Sequence, residues 1–250
     1  MFYRKNPDQG GYVIMAGLQQ LIEAIKEMHF SKGDIDYLRT LNMFDEEFLS
    51  YLADFKFDGT IWAVPEGTPV FPYEPLVTVK GKLIEAQLLE TFLLVTINHQ
   101  SLIATKTHRV VQEAKGRPVM EFGARRAQGY DGATYGARAA YIGGAAGTAT
   151  VSAGQAFGIP VLGTMAHSFV QSFDSEYEAF KAYAEIYPDS CILLVDTYDT
   201  LKSGIPNAIR VAEEVLQPMG KTLAGIRIDS GDIAYLTKKA RMMLDVAGLT

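Results

Sequence analysis

The spacing of apolar residues changes character three times along the chain. After a short strand at 11–15, "GYVIM", residues 17–56 carry their apolar positions at three- and four-residue steps. That spacing predicts helices over 17–28, about 33–41 and 45–56, the last with Asp45 as its N-cap. From Thr60 the text becomes β-branched and aromatic, "TIWAVPEGTPVFPYEPLVTV", and is cut by Pro65, Gly67, Pro72 and Pro75. Short antiparallel strands joined by tight turns are expected there. Residues 83–115 then run without proline up to Gly116, with leucine and isoleucine at helical spacing, which predicts one long, mostly buried helix joining two domains.

Beyond Gly116 the pattern alternates. "PVMEF", "PVLGT", "CILLVD" and "LAGIRI" read as buried strands. Between and after them lie helical segments at about 131–143, 150–157, 175–187 and 205–216, and a last one from Ile233 to Ala247. Ser175 and Glu178 form a capping-box pair at the start of the third. Such βα repetition implies parallel strands covered by helices, in either an open doubly wound sheet or a barrel. The strand ends favour the barrel, because all four are polar: "FGARRAQG", "GTMAHS", "DTYDT" and "RIDSGD". In a (β/α) barrel such loops gather at one C-terminal face, where catalytic groups sit. A whole barrel takes about eight βα units, and only four are legible, so a partial barrel over residues 116–250 is expected behind a smaller α/β domain over 1–115.

Composition narrows the function. The net charge is −6 and the 23 lysines and arginines are scattered, which argues against a nucleic-acid groove or a basic membrane face. No apolar run reaches the roughly 18 residues of a membrane span. The single cysteine, Cys191, lies within an apolar run, where it reads as packing; a disulfide framework is excluded, and a reducing, cytoplasmic setting is expected.

Each polar strand end has a bland reading beside a chemical one. Arg125 and Arg126 can be a solvated pair, yet a planar guanidinium fork at a strand end suits a carboxylate or phosphate. His167, flanked by Thr164 and Ser168, can be a hydrogen-bonded core histidine, a proton carrier or a phosphoryl acceptor. Asp229 can cap the last helix with Asp232 in its first turn, but this leaves Arg227 unexplained. With Asp196, Asp199 and Ser230 nearby in sequence, these groups fit a site for Mg²⁺-bound pyrophosphate and sugar hydroxyls. The segment "YIGGAAGTATVSAG" fits a phosphate cradle or close helix packing equally well. His99 reads as structural, and His29 and His108 have no supporting neighbours.

Nine segments in order, "FYRKNPDQGGY", "IWAVPEGTPVFPYEPL", "LIEAQLLET", "NHQSLIATK", "FGARRA", "AAYIGGAAGT", "GTMAHS", "LLVDTYDT" and "GIRIDSGD", resemble the nicotinate phosphoribosyltransferase family of type II phosphoribosyltransferases. The resemblance implies an irregular α/β barrel with a smaller α/β domain, acting as a homodimer. It also implies transfer of the 5-phosphoribosyl group from phosphoribosyl pyrophosphate to nicotinate, with Mg²⁺ held mainly by the substrate pyrophosphate and ATP as co-substrate through a phosphohistidine. Carried onto this chain, it makes His167 the phosphorylated residue and Thr164 and Arg227 substrate contacts. Arg125 and Asp229 match positions that bind substrate or ribosyl phosphate. Arg126, Asp232, Ser230 and Asp196 are added by proximity, and no resident metal site is implied.

The family's leading "LTDLYQ"-like segment and its later glycine-rich turn have no counterpart here, so a fragment with an uncovered strand edge is expected. Two rival readings are a nicotinamide-using relative and a non-catalytic chain that associates through that edge.

Overall fold

The computed structural model describes residues 1–249. The chain divides into two compact units, Met1–Leu162 and Gly163–Thr250. In the first unit, β1 (Val13–Ile14) is followed by α1 (Leu18–Glu27), α2 (Lys32–Thr40) and α3 (Glu46–Ala53). Asp45 caps α3 by accepting the Phe48 N–H, as its position predicts. The complete capping box is at α2, where Ser31 and Asp34 bond reciprocally. Next come β2 (Thr60–Ala63), β3 (Pro69–Val70) and β4 (Val77–Lys80). β2 pairs antiparallel with β4, and β1 with β3, so the proline-punctuated stretch forms the expected short strands.

α4 (Leu83–Glu113) is a helix of 31 residues, roughly 46 Å long at 1.5 Å per residue. Its buried face mixes Leu89, Leu93, Ile97 and Ala104 with Ser101 and Thr105. The two hydroxyls have partners in the chain around β1: Thr105 Oγ1 accepts the Ile14 N–H at 2.8 Å, and Ser101 Oγ accepts the Ala16 N–H at 3.0 Å. Backbone donors that no neighbouring strand takes up are satisfied by a helix face.

β5 (Met120–Glu121), α5 (Tyr130–Ile142), β6 (Gly147–Thr148) and α6 (Val151–Phe157) complete the unit. β5 and β6 are parallel, and a further parallel bridge joins Thr148 to Val161. The strand expected over "PVLGT" is thus reduced to one bridging residue, while an unexpected strand lies inside the glycine-rich segment. That segment's small residues serve close packing. A Cβ at Gly143 would fall 2.4 Å from the Ala104 carbonyl oxygen, and one at Gly147 would fall 2.5 Å from that of Pro160.

The second unit contains α7 (His167–Gln171), α8 (Glu176–Ile186), β7 (Ile192–Leu194), α9 (Ile205–Val211), β8 (Gly225–Arg227) and α10 (Ile233–Val246). β7 and β8 pair in parallel from Ile192↔Gly225 to Leu194↔Arg227. Phe180, Leu193, Leu194, Ile205, Val211 and Leu216 form the core around them. Cys191 is fully buried, and burial pushes its thiol up to about 11, the behaviour of a packing residue. Ser175 caps α8 by accepting the Glu178 N–H.

A π-helical turn, Thr200–Gly204, leads into α9 and is capped by Asp199, which accepts the Leu201 and Lys202 N–H groups. Gly204 lies so close to β7 that an added Cβ would sit 1.8 Å from the Val195 carbonyl oxygen. Gly204→Ala is therefore expected to destabilise the unit by about 1–3 kcal/mol through overpacking. Urea unfolding checks this; an unchanged midpoint would contradict the close approach. No helix among the described residues is long and apolar enough to cross a membrane.

Candidate active site

The polar groups of the second unit converge at the carboxyl ends of β7 and β8. Asp196 stands two residues beyond β7 with its side chain 2% exposed, and His167 opens α7 with its ring 39% exposed. His167 Nε2 is 3.2 Å from Asp196 Oδ1. The other carboxylate oxygen, Oδ2, accepts the Ser230 hydroxyl at 2.6 Å and the Asp229 N–H at 3.0 Å. Burial works against the Asp196 charge, but the Ser230 and Asp229 donors and the imidazole outweigh it, so the carboxyl is held below the ordinary aspartate range.

A second cluster joins the first through Asp229. Arg227, the last residue of β8, donates from Nη1 to Thr164 Oγ1 at 2.6 Å and pairs from Nη2 with Asp229 Oδ2 at 2.9 Å. Asp229 thus gives its N–H to Asp196 and its carboxylate to Arg227. The capping role considered for it falls instead to Asp232, whose Oδ1 accepts the Tyr235 N–H at 3.0 Å. Asp232 is consequently a helix cap, with no bond into either cluster.

His167, Thr164, Asp196, Arg227, Asp229 and Ser230 are therefore brought together. Arg125 and Arg126 lie in the first unit, exposed in a 3₁₀ turn, Ala124–Arg126, just after β5. Glu121, at the end of β5, organises that turn, a role its place in the apolar segment "PVMEF" does not announce. Its Oε1 accepts the Gly123 N–H and its Oε2 accepts the Thr148 hydroxyl at 2.6 Å. A lone carboxylate inside "PVMEF" was the available signal. Asp196, added to the candidates only by proximity, is the hub of the second unit's network.

Chemically, a carboxylate can only accept, so the His167 nitrogen facing Asp196 must carry the proton. Nε2–H donated to Asp196 leaves the lone pair on Nδ1, the tautomer of a nucleophile or proton acceptor. The Arg227 guanidinium, partly exposed at 25%, is held by Thr164 and Asp229, and Asp229 links it to the Asp196 carboxylate. Among the described residues, no group of three or more His, Cys, Asp or Glu side chains is arranged to hold a metal ion.

The crystal structure of human nicotinic acid phosphoribosyltransferase superposes on this chain with a TM-score of 0.91 at 31% identity, covering 99% of this chain and 59% of that one. The chain accordingly has the mixed α/β fold of the type II phosphoribosyltransferases, with its N-terminal domain. The model of the nicotinate phosphoribosyltransferase N-terminal domain matches residues 1–98, and that of the nicotinate phosphoribosyltransferase family matches residues 118–245. This chain belongs to the nicotinate phosphoribosyltransferase family. A nicotinate phosphoribosyltransferase of Mycobacterium tuberculosis is 49% identical over 249 residues, which is 100% of this chain and 53% of that protein. The Bacillus subtilis enzyme of the same name is 49% identical over 250 residues, 100% of this chain and 50% of that protein. The chain spans about half the length of the curated relatives it matches.

Proposed function

We propose that the residues at the ends of β7 and β8 serve transfer of the 5-phosphoribosyl group from phosphoribosyl pyrophosphate to nicotinate, coupled to ATP hydrolysis through phosphorylation of His167. The observation that carries this reading is the His167–Asp196 pair, in which Nε2 faces the carboxylate and Nδ1 is left as the nucleophile. The relatives' names supply the substrate, nicotinate.

In the first step Nδ1 attacks the γ-phosphorus of ATP, the bond to the bridging oxygen breaks and ADP leaves. The Nε2 proton stays hydrogen-bonded to Asp196, whose charge offsets the imidazolium formed. In the second step the pyridine nitrogen takes the anomeric carbon as the bond to pyrophosphate breaks, giving nicotinate mononucleotide and pyrophosphate. Arg227, preset by Thr164 and Asp229, is the anion donor of this rim, and Arg125 and Arg126 are proposed as substrate contacts on the family resemblance alone. Mg²⁺ would supply charge neutralisation on the substrate's pyrophosphate, while Asp196 and Asp229 accept from N–H, hydroxyl and guanidinium donors of the chain. Water then attacks phosphorus and releases phosphate, restoring His167. The reading places the protein in the cytoplasm as a homodimer.

Incubation with ATP labelled at the γ-phosphorus tests it. Acid-labile label attached at Nδ1 of His167 is the expected result. Label on another residue, or on Nε2, would remove His167 or the tautomer argument respectively.

A further inference from the structure

Glu176 is the first residue of α8 and is 4% exposed, an unusual place for a carboxylate. Its Oε2 accepts the Ser203 hydroxyl and the Asn207 side-chain N–H, the latter at 3.1 Å. Asn207 also donates to Ser203 Oγ at 3.3 Å. Glu176 Oε1 is buried with no hydrogen-bond partner among the described residues. A half-satisfied buried carboxylate contributes less stability than a well-packed apolar side chain would. Its presence therefore calls for a geometric role.

The elements it joins define that role. Ser203 belongs to the π-helical turn Thr200–Gly204, and Asn207 lies in the first turn of α9. The next residue, Gly204, abuts the carbonyl of Val195, the residue before Asp196. A shift of this turn is transmitted by hard contact to the end of β7. Asp196 in turn has one oxygen on His167 and the other on Ser230 and the Asp229 N–H, so a rotation of its carboxylate breaks one set of bonds or the other.

We propose that Glu176 is a positioning residue for the His167–Asp196 pair: by holding Ser203 and Asn207 it fixes the Thr200–Gly204 turn against the end of β7, and with it the direction of the Asp196 carboxylate. The catalytic side of this inference rests on His167 being the phosphoryl acceptor. Its geometric side does not.

Two measurements on Glu176→Ala, Glu176→Gln and Ser203→Ala separate the two sides, with Glu178→Ala at the exposed face of α8 as control. The first is hydrogen exchange at the Asp229 amide, which reports the Asp196 bond directly. Exchange on the order of tenfold or more faster is expected in Glu176→Ala. Ser203→Ala should show a smaller effect. Glu176→Gln retains an acceptor and should restore protection, and the control should match the unsubstituted protein. Unchanged Asp229 exchange in a folded Glu176→Ala or Ser203→Ala, or an equal rise at every amide of the unit, would overturn the proposal. If Glu176→Ala does not fold, Ser203→Ala decides.

The second measurement is the rate of phosphate incorporation at His167 at saturating ATP. A fall in Glu176→Ala or Ser203→Ala with rescue in Glu176→Gln, at unchanged half-saturation, is expected. Loss of label in the unsubstituted protein defeats the phosphoryl reading while leaving the exchange result standing, so the two failures are distinguishable.

Discussion

Asp196→Asn is expected to leave the second unit folded and to lower phosphate incorporation at His167 by about three orders of magnitude. Asparagine has one acceptor oxygen and one donor nitrogen where aspartate has two acceptors. The side holding Ser230 and the Asp229 N–H offers two donors, so the oxygen settles there and the NH₂ faces His167. Nε2 must then accept, which moves the ring proton to Nδ1 and removes the nucleophilic lone pair. Asp196→Ala instead leaves three donors without their acceptor and should cost about 2–4 kcal/mol in addition. Thermal unfolding and labelling on the same samples check both variants; full labelling by Asp196→Asn would sink the tautomer argument. The pH dependence has a definite sign. The folded Asp196 carboxyl lies below its unfolded value of about 3.9, so its contribution is complete above that pH and is lost as pH falls through the lowered folded value. Asp196→Asn should therefore flatten part of the acid limb of the stability profile.

The legible parts of the fold were those in which one periodicity ran for many residues. The long helix over 83–113 and the final helix from Ile233 were readable because apolar residues return to the same face over several turns. The parallel strands near 120, 147 and 161 are one to two residues long, too short for any alternation to register, which is why β6 was invisible and "PVLGT" was overestimated. What marks β6 is a close backbone approach at Gly147, a property of the folded chain that no local spacing encodes. The half capping box at Ser175 has the same origin: its Glu178 remains at an exposed position, and Glu176, two residues earlier and so on the opposite side of the helix, enters the interior.

At the candidate site, residue type was more informative than role. Of the histidine, arginine and aspartate residues at strand ends, His167 meets Asp196, and Thr164, Arg227 and Asp229 form one hydrogen-bonded group. Which acid caps the last helix and which faces arginine depends on the turn Asp229–Asp232, where Gly231 at φ +80° lets the chain reverse. Swapping the two assignments costs nothing in a sequence pattern. In the structure Asp229 bonds Asp196 and Arg227, while Asp232 caps α10.

The largest expected change in stability lies far along the chain from this site, at Glu66. Gly17, the residue before helix α1, lies at φ +103° and has no side chain with which to cap the helix. Glu66, in the turn before β3, does so from a distance: its Oε1 accepts the Gly17 N–H at 2.6 Å and the Leu18 N–H at 2.9 Å. Both its oxygens also receive the Arg138 fork, at 2.8 and 2.7 Å, with side chains only 15% and 19% exposed. Burial opposes the Glu66 charge, but the Arg138 guanidinium and the two N–H groups prevail and hold its carboxyl below the usual range. Glu66→Ala strands a guanidinium against the Phe157 ring, 5.7 Å away, together with two helix N–H groups, and should cost about 3–5 kcal/mol. Glu66→Gln, which still accepts from the backbone, should cost less, and Glu66→Gln combined with Arg138→Met should recover most of the loss because no unpaired charge remains. The Glu66 contribution is complete above its unfolded pKa of about 4.3 and disappears as pH falls through the lower folded value. Chemical denaturation at pH 7 and pH 3 measures both effects. A Glu66→Ala penalty under about 1 kcal/mol at pH 7 would mean that α1 is held by its apolar face alone, through Leu21 and its neighbours.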